Sequence, residues 1–215
     1  TKVMVEEAGG ISQADAVLVY HQRYAKDSYG ELLGITSYFN DTYPLFVKPA
    51  NAGSSVGISK VKNAEELPKA LETAFAEDDK VLVEEAITGR EIEVAVLGNE
   101  EPEASCIGEI FAANEFYDYN AKYENEASKT AVVTDLDPKK EQEIKDTAVK
   151  IYRIMGCRGL ARVDFFLKDS GRVVFNEINT LPGFTNISMY PQLWEASGIP
   201  YPDLIDRLIE LALEQ

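Results

Sequence analysis

The sequence has few of the residues that most often build metal, redox or disulfide sites. Its two cysteines, Cys106 and Cys157, lie far apart and belong to no C-x-x-C or Cys/His spacing, which excludes a zinc site of the usual pattern. Two reduced thiols are typical of a cytoplasmic protein, and we therefore expect that location. The single histidine, His21, stands in a β-rich run and is interpreted as a packing residue rather than a catalytic base.

Basic residues are also scarce. Acidic residues outnumber basic ones by 37 to 21, which gives a formal net charge of −16. A nucleic-acid-binding domain normally has a basic face, and no Lys/Arg cluster occurs here, so we expect no nucleic acid partner. Because an acidic chain repels anions, any phosphate that it binds must be held by local donors, and we expect a metal ion among them.

Long apolar runs are missing as well. No stretch approaches the ~20 apolar residues of a membrane-spanning helix, so no membrane partner is expected. The first ten residues, TKVMVEEAGG, lack the layout of a signal peptide and resemble the inside of a helix. Since an initiator methionine is also missing, we expect the chain to begin partway through a larger protein. Its 215 residues suffice for one domain or two small ones.

The remaining pattern predicts an α+β fold. A helix at the start is stopped by Gly9 and Gly10, a capping box at Asn63 and Glu66 opens another helix, and Pro138 opens a third. The strand candidates are AVLVYHQRY, LFVKPA, GISKV, KVLVEEAI, EIEVAVLG, CIGEIFA and the two arms of a hairpin in LARVDFFLKDSGRVVFNEIN. Residues 114–133 are predicted as a long loop. Because strands pair locally and helices are interspersed, we expect antiparallel sheets.

The stretch KPANAGSSVGISKV, which begins at Lys48, has the composition of a phosphate-binding loop. It is not a Walker A loop, because the lysine precedes the glycines and the loop joins two strands. Gly53 and Gly57 would let the backbone approach a ligand, and Ser54 and Ser55 offer N–H and O–H donors. An ordinary surface hairpin loop explains the stretch equally well, so the residues leave both interpretations open.

The segment FNEIN predicts a metal site. Residues two apart on a strand share a face, so Glu177 shares one with Asn179, and Arg162 shares one with Asp164. The hairpin can place Asp164 opposite Glu177, and two carboxylates with an amide oxygen suit Mg²⁺. The alternative is the solvated face of a half-buried hairpin. Adjacent carboxylates repel each other without a cation, which favours the metal.

Five segments together resemble a known family. LFVKPANAGSSVGISKV, VLVEEAITGREIEVAVLG, FYDYNAKY, GLARVDFFL and FNEINTLPGFTNISMYP follow the order and spacing of the D-alanine–D-alanine ligases of the ATP-grasp superfamily. The resemblance implies two subdomains whose antiparallel sheets clamp ATP. It implies a central subdomain at 1–90 and a C-terminal subdomain at 91–215 with the metal and substrate sites. The N-terminal substrate domain of the family is expected to be absent.

The resemblance also implies which residues bind ATP, with Mg²⁺ or Mn²⁺ as the metal at Asp164, Glu177 and Asn179. The positions that match the family's nucleotide contacts are Lys48, Ser54 and Ser55 at the phosphates, Glu84 beside adenine, Ile87 at the hinge, Glu91 at the ribose, and Lys122 with Tyr123 in the lid. Glu85 departs from the family, since many members have lysine there.

The implied reaction joins two D-alanines for peptidoglycan synthesis and cell shape. The first D-alanine carboxylate takes the γ-phosphate, and the amine of the second attacks the resulting acyl phosphate. The positions that match the family's catalytic and substrate residues are Arg162 and Gly183 at the oxyanion, Ser54 and Tyr123 in the substrate network, and Ser188 and Met189 at the second D-alanine. The partners are therefore D-alanine and ATP, and a homodimer would form through the N-terminal portion.

Two other readings stay open. One is a relative that uses D-serine or D-lactate as the second substrate, although DYNAKY in the lid resembles the D-alanine type. The other is a Mg·ATP-binding fragment that forms little or no dipeptide by itself.

Overall fold

The computed structural model describes residues 1–53, 55–111, 129–185 and 187–214, which divide into two compact units. The larger unit contains Thr1–Gln13, Thr88–Phe111 and 129–214, and the smaller unit contains Ala14–Ile87. Each unit has its own sheet and its own core. None of the helices in the described ranges is long and apolar enough to cross a membrane. The predicted subdomain boundary at residues 90 and 91 stays a prediction.

The elements follow the predicted mixture of short strands and helices. The described α-helices are α1 (Lys2–Ala8), α2 (His21–Lys26), α3 (Ser28–Tyr38), α4 (Leu67–Phe75), α5 (Pro138–Ile154), α6 (Met189–Ala196) and α7 (Tyr201–Leu213). The described strands are β1 (Ser12–Gln13), β2 (Ala16–Tyr20), β3 (Leu45–Pro49), β4 (Ser59–Val61), β5 (Lys80–Glu85), β6 (Arg90–Gly98), β7 (Glu103–Phe111), β8 (Lys129–Val132), β9 (Gly159–Leu167) and β10 (Val173–Asn179).

The larger unit is built on a six-stranded sheet in the order β1-β10-β9-β6-β7-β8. Neighbouring strands are antiparallel except for β1, which runs parallel to β10. Helix α5 covers one face of the sheet through the fully buried Ile144, Ala148, Ile151 and Tyr152. Asp137 caps the helix by accepting a hydrogen bond from the Lys139 N–H at 2.9 Å, directly before the predicted start at Pro138.

The opposite face of this sheet is divided between packing and polar side chains. Ala95 and Leu97 of β6 are buried in a cluster that contains Leu193 and Trp194 of α6 and Leu204 of α7. Earlier on the same face, β6 carries Glu93 and Glu91 in place of apolar residues. The helices therefore cover one end of the face, and charged residues occupy the other.

The smaller unit has a four-stranded antiparallel sheet in the order β2-β5-β3-β4. Its core joins Val47 and Val83 of the sheet to Leu71 of α4. The predicted cap at Asn63 is confirmed, because the Glu66 N–H donates to Asn63 Oδ1 at 3.2 Å. The reciprocal bond of the predicted capping box lies one residue earlier, since the Glu66 side chain accepts from the Lys62 N–H at 2.8 Å. A 3₁₀ turn, Ala64–Glu66, leads into α4.

Two predictions about local structure were wrong. The run AVLVYHQRY is not one strand, because β2 ends at Tyr20 and His21 begins α2, with its ring packed on Phe75 at a centroid distance of 4.9 Å. The predicted loop at 114–133 contains β8, whose β-prone KTAV segment pairs with the edge of β7. The polarity of the segment predicted a loop. The strand was missed because pairing with β7, and not the alternation of its own residues, determines its conformation.

Candidate functional site

A β-bulge at Asn176 brings Glu177 opposite Asp164. Phe175 pairs with Phe165 and Glu177 pairs with Asp164, so two steps along β10 match one step along β9. Strict alternation would place Phe175 and Glu177 on the same face. The extra residue lets Phe175 stay in the core while Glu177 joins Asp164 on the opposite face. The predicted pairing of the two carboxylates is therefore confirmed.

A third carboxylate extends this pair across the sheet. Glu93 of β6 is the cross-strand partner of Asp164 on its other side. Directly paired residues share a face, so the three side chains form one line across β6, β9 and β10. We call Glu93, Asp164 and Glu177 the carboxylate row. Three neighbouring negative charges require a cation close by.

Arg162 supplies one such cation. It lies two residues before Asp164 on the same face of β9, and its Nε and Nη2 donate to Asp164 Oδ1 and Oδ2, both at 2.8 Å. Its Nε also lies 3.2 Å from Glu93 Oε1. Burial alone would lower the pKa of the Arg162 guanidinium, but the carboxylates of Asp164, Glu93 and Glu177 outweigh burial and raise that pKa. Arg162 is therefore charged at neutral pH.

The predicted metal ligands fit a hard cation by their chemistry. Asp164 and Glu177 are cross-strand partners, and Asn179 follows Glu177 on the same face of β10. The Oδ1 atom of Asn179 accepts one hydrogen bond, from the Leu181 N–H at 3.1 Å, and keeps a second lone pair. Within the described ranges no three His, Cys, Asp or Glu side chains converge as a metal centre. Two carboxylates, an amide and water match the oxygen ligands that Mg²⁺ prefers.

The loop that follows β10 is closed by Ser188. The Oγ atom of Ser188 accepts a hydrogen bond from the Thr185 N–H at 2.9 Å. A Cβ on Gly183 would lie 2.9 Å from the same Oγ atom, so a side chain at Gly183 would displace the Ser188 hydroxyl. The side chain of Met189 is buried with α6, which leaves only its backbone for contact with a ligand.

In the smaller unit, Lys48 is held by Glu84. The two residues stand on the neighbouring strands β3 and β5, where Phe46 pairs with Glu84 and Lys48 pairs with Leu82. Lys48 Nζ lies 2.6 Å from Glu84 Oε2, and the Glu84 side chain is 7% exposed. The two predicted nucleotide contacts thus form one ion pair on one face of the sheet.

The loop after Lys48 has an unusual backbone. Ser55 has a φ of 60° and Gly57 a φ of 74°, both in the left-handed region that side chains rarely adopt. A Cβ on Gly57 would lie 2.9 Å from Pro49 Cγ and from Glu77 Cγ, so only glycine fits. The predicted contacts Ser54, Lys122 and Tyr123 lie outside the described residues.

The remaining predicted nucleotide contacts lie at the ends of the two units. Ile87 is half-buried and ends the smaller unit, while Glu91 lies on β6 of the larger unit opposite Phe166. Glu85, the departure from the family pattern, accepts a hydrogen bond from the Asp15 N–H at 3.0 Å. Its carboxylate therefore fastens β5 to the start of β2.

Two residues beside these sites were missed by the sequence analysis. Glu93 lies two positions after Glu91, so the period of the strand already placed both on one face. Asp78 accepts hydrogen bonds from the Asn51 N–H and side-chain amide at 2.8 and 2.7 Å. The signal for Asp78 is absent from the sequence, because 27 residues separate the partners.

Comparison with known proteins places this geometry in a family. The family described as D-ala D-ala ligase C-terminus matches residues 4–210. The D-alanine–D-alanine ligase B of Clostridium tetani is 63% identical over 172 residues, which is 80% of this chain and 48% of that protein. The D-alanine–D-alanine ligase of Acetivibrio thermocellus is 52% identical over 217 residues, covering all of this chain and 56% of the relative.

Solved structures agree. The D-alanine–D-alanine ligase of Coxiella burnetii superposes with a TM-score of 0.83 at 40% identity, covering 99% of this chain and 55% of that one. The VanG D-Ala:D-Ser ligase of Enterococcus faecalis gives 0.82 at 38% identity, covering 97% and 59%. The predicted α+β class and ATP-grasp fold are confirmed. The chain spans about half the length of the curated relatives it matches. It belongs to the D-alanine–D-alanine ligase family, of which it matches the C-terminal part.

Proposed function

We propose that the protein to which this chain belongs is a cytoplasmic, ATP-dependent D-alanine–D-alanine ligase of peptidoglycan synthesis. This chain would supply its Mg·ATP site and its contacts to the second D-alanine. The observation that carries the proposal is the pairing of Glu177 with Asp164 beside Arg162 in a chain of this family. Carboxylates that can hold a cation next to a guanidinium suit a reaction that transfers a phosphoryl group and stabilises an oxyanion.

The nucleotide would be held by the residues that match the family's nucleotide contacts. Lys48 would place its charge on the phosphates, with N–H and O–H groups of Ser54 and Ser55 around them. Glu84 and Ile87 would contact adenine, and Glu91 would accept hydrogen bonds from the ribose hydroxyls. Because Lys48 already contacts Glu84 at 2.6 Å, its ammonium is oriented before the phosphates arrive.

Asp164, Glu177 and Asn179 would hold Mg²⁺ or Mn²⁺. A cation bound there neutralises phosphate charge and thereby favours attack at the γ-phosphate. Arg162 and the backbone N–H of Gly183 would stabilise the oxyanion that forms when the amine attacks the acyl phosphate. Lys122 and Tyr123 in the lid would exclude water, which would otherwise hydrolyse that intermediate.

The second D-alanine would bind beside the loop after β10. Ser188 would contact its carboxylate through Oγ, and Met189 through its backbone, because the Met189 side chain is buried. Ser54 and Tyr123 would complete the substrate network. The hydrogen bond from the Thr185 N–H to Ser188 Oγ fixes the position of that hydroxyl oxygen.

A thermal-unfolding titration of this chain tests the nucleotide part of the proposal. Mg·ATP at a hundred times its Kd is expected to stabilise the fold by about 2.7 kcal/mol, whereas ATP without metal is expected to stabilise it much less. Glu177→Gln should abolish the metal-dependent part. Glu103→Gln is the matched control, because Glu103 lies on β7 with its side chain 68% exposed. Equal stabilisation by metal-free ATP would contradict the assignment of Asp164, Glu177 and Asn179.

The second candidate function is ligation of D-alanine to D-serine or D-lactate. The likeness to a D-Ala:D-Ser ligase at a TM-score of 0.82 is the observation that favours D-serine. Against it, the curated relatives at 52–63% identity carry the D-alanine–D-alanine name. Release of ADP with each second substrate, measured on the full-length protein, distinguishes them, and a preference for D-serine or D-lactate would overturn the first proposal. Whether this chain alone forms little dipeptide stays a prediction.

A further inference from the structure

Glu93 has no role in the function proposed above, although it stands on β6 at one end of the carboxylate row. Its side chain is 4% exposed, which is less than that of Asp164 at 10% or Arg162 at 17%. Burying a carboxylate is costly unless a cation compensates it, and the Nε atom of Arg162 lies 3.2 Å from Glu93 Oε1. A glutamine or an apolar residue would fill the same place on β6 without that cost.

The guanidinium of Arg162 therefore lies between two carboxylates that it contacts differently. Toward Asp164 it makes two parallel hydrogen bonds of 2.8 Å. Toward Glu93 it makes one longer approach, 3.2 Å from Nε to Oε1. The first arrangement is the bidentate geometry that arginine prefers, so Asp164 is the main partner in the structure as it stands.

Under the proposed function, a bound cation would weaken the two hydrogen bonds from Arg162 to Asp164. A cation bound by Asp164 and Glu177 would share the Asp164 carboxylate with the Arg162 guanidinium, which now donates one hydrogen bond to each of its oxygens. Two positive charges a few ångströms apart on one carboxylate repel each other in a site that is largely buried. This repulsion favours a shift of Arg162 away from Asp164, and a shifted guanidinium needs another acceptor.

We propose that Glu93 is this acceptor and acts as a positioning residue for Arg162. When a cation binds Asp164 and Glu177, the Arg162 guanidinium shifts its hydrogen bonds from Asp164 to Glu93, and it stays on the sheet face where the oxyanion forms. Glu93 touches neither the cation nor the substrate in this scheme. The inference rests on the proposed function and adds to it a third functional carboxylate.

The scheme predicts an effect of Glu93 that depends on Arg162. The probe is Mg·ADP, and its Kd is measured by calorimetry on the chain, on Glu93→Gln, on Arg162→Gln and on the double variant. Glu93→Gln is expected to weaken Mg·ADP binding about tenfold, as expected for partners that orient a metal site from outside its ligand set. In the Arg162→Gln background the same change is expected to alter Kd less than about twofold, because no guanidinium remains to be relocated.

The double variant separates this role from simple charge attraction. If the Glu93 charge attracted the cation directly, removing Arg162 would leave that charge less compensated, and Glu93→Gln would weaken binding at least as much there as in the parent chain. That result would overturn the inference, as would an unchanged Kd in Glu93→Gln alone. Glu103→Gln controls for the loss of one negative charge from the same unit.

Two further measurements keep the test decisive. If Glu93→Gln does not fold, Glu93→Asp replaces it, since the shorter carboxylate keeps the charge but reaches Arg162 poorly. It is then expected to weaken binding in the parent chain and not in the Arg162→Gln background. If the unsubstituted chain does not bind Mg·ADP, the proposed function fails and the inference with it. If it binds and Glu93 has no Arg162-dependent effect, only the inference fails.

Discussion

Asp78 holds Asn51 at the start of the loop that follows Lys48. One carboxylate oxygen, Oδ2, accepts hydrogen bonds from both the backbone N–H and the side-chain amide of Asn51, and Oδ1 accepts one from the Lys80 N–H at 3.1 Å. Asp78 thus ties the candidate phosphate loop to the turn before β5. A residue outside every motif determines where that loop begins.

Removing this carboxylate should loosen the loop and weaken nucleotide binding. Asp78→Ala is expected to weaken Mg·ATP binding by roughly threefold to tenfold, because a hydrogen bond to a charged acceptor at an exposed site is worth about 1 kcal/mol. Calorimetry provides the measurement. Asp79→Ala is the matched control, since the Asp79 side chain is 91% exposed and its Oδ1 atom lies 3.6 Å from His21 Nδ1. An equal loss in both variants would contradict the assignment.

The same carboxylate predicts how stability changes in acid. The Lys80 N–H, followed by the Asn51 amide and N–H, lowers the pKa of Asp78 below its ordinary value of 3.8. A lowered pKa means that the folded state favours the carboxylate, so its contribution is full above 3.8 and is lost as the pH falls through the folded pKa. The difference in urea midpoint between the chain and Asp78→Ala should therefore narrow only below about pH 4. If that difference in urea midpoint grew as the pH fell, the lowered pKa of Asp78 would be contradicted.

Gly108 gives α6 its close approach to the sheet. A Cβ on Gly108 would collide with Met189 Cε and lie 3.0 Å from Leu193 Cδ2. Gly108→Ala is expected to lower the free energy of unfolding by about 1–3 kcal/mol, the usual cost of overpacking a core. In the Met189→Ala background the same change should cost less, because the obstacle is gone.

Gly34 provides the control for that substitution. It lies within α3, is exposed, and a Cβ there would meet nothing within 4 Å. Gly34→Ala is expected to raise the free energy of unfolding by about 0.5–1 kcal/mol, because alanine restricts the unfolded chain and favours a helix. Urea unfolding measures both changes. A lower free energy of unfolding for Gly108→Ala and a higher one for Gly34→Ala would establish the close approach of α6 to the sheet, and changes of the same sign would refute it.

Two buried tyrosines fasten β6. The Tyr152 hydroxyl donates to the Gly98 carbonyl at 2.7 Å, and the Tyr190 hydroxyl donates to the Val96 carbonyl at 2.9 Å. Tyr152→Phe is expected to lower the free energy of unfolding by about 1–2 kcal/mol, since a buried carbonyl loses a donor. Tyr29→Phe, at a side chain that is 76% exposed, should have no measurable effect. Chemical denaturation of the two variants checks this, and equal midpoints would contradict it.

Most of the fold could be predicted because local signals determine it. The capping box at Asn63, the Asp137–Pro138 start of α5 and the turn between β9 and β10 each lie within a few residues of sequence. Helix α5 also buries Ile144 and Ile151, which lie two helical turns apart on one face. Such elements follow from hydrogen bonds and periodicity within one window of the chain.

What could not be predicted depends on distant partners. β8 exists because β7 offers an open edge, and Asp78 matters because Asn51 folds back to it. The candidate site shows the same limit. Asp164 and Glu177 could be paired from the hairpin, whereas the place of Glu93 requires the order of strands in the sheet, in which β6 lies beside β9.

The bulge at Asn176 has a consequence for how this hairpin tolerates changes in length. Residues added at the Asp169–Gly171 tip lengthen the turn and leave every pairing in place. Loss of the residue between Phe175 and Glu177 would turn the bulge into regular pairing and keep both faces, whereas one residue gained or lost elsewhere in β10 would move apolar side chains to the surface or acids into the core. Insertions and deletions among relatives should therefore accumulate at the tip and, within β10, be confined to the bulge.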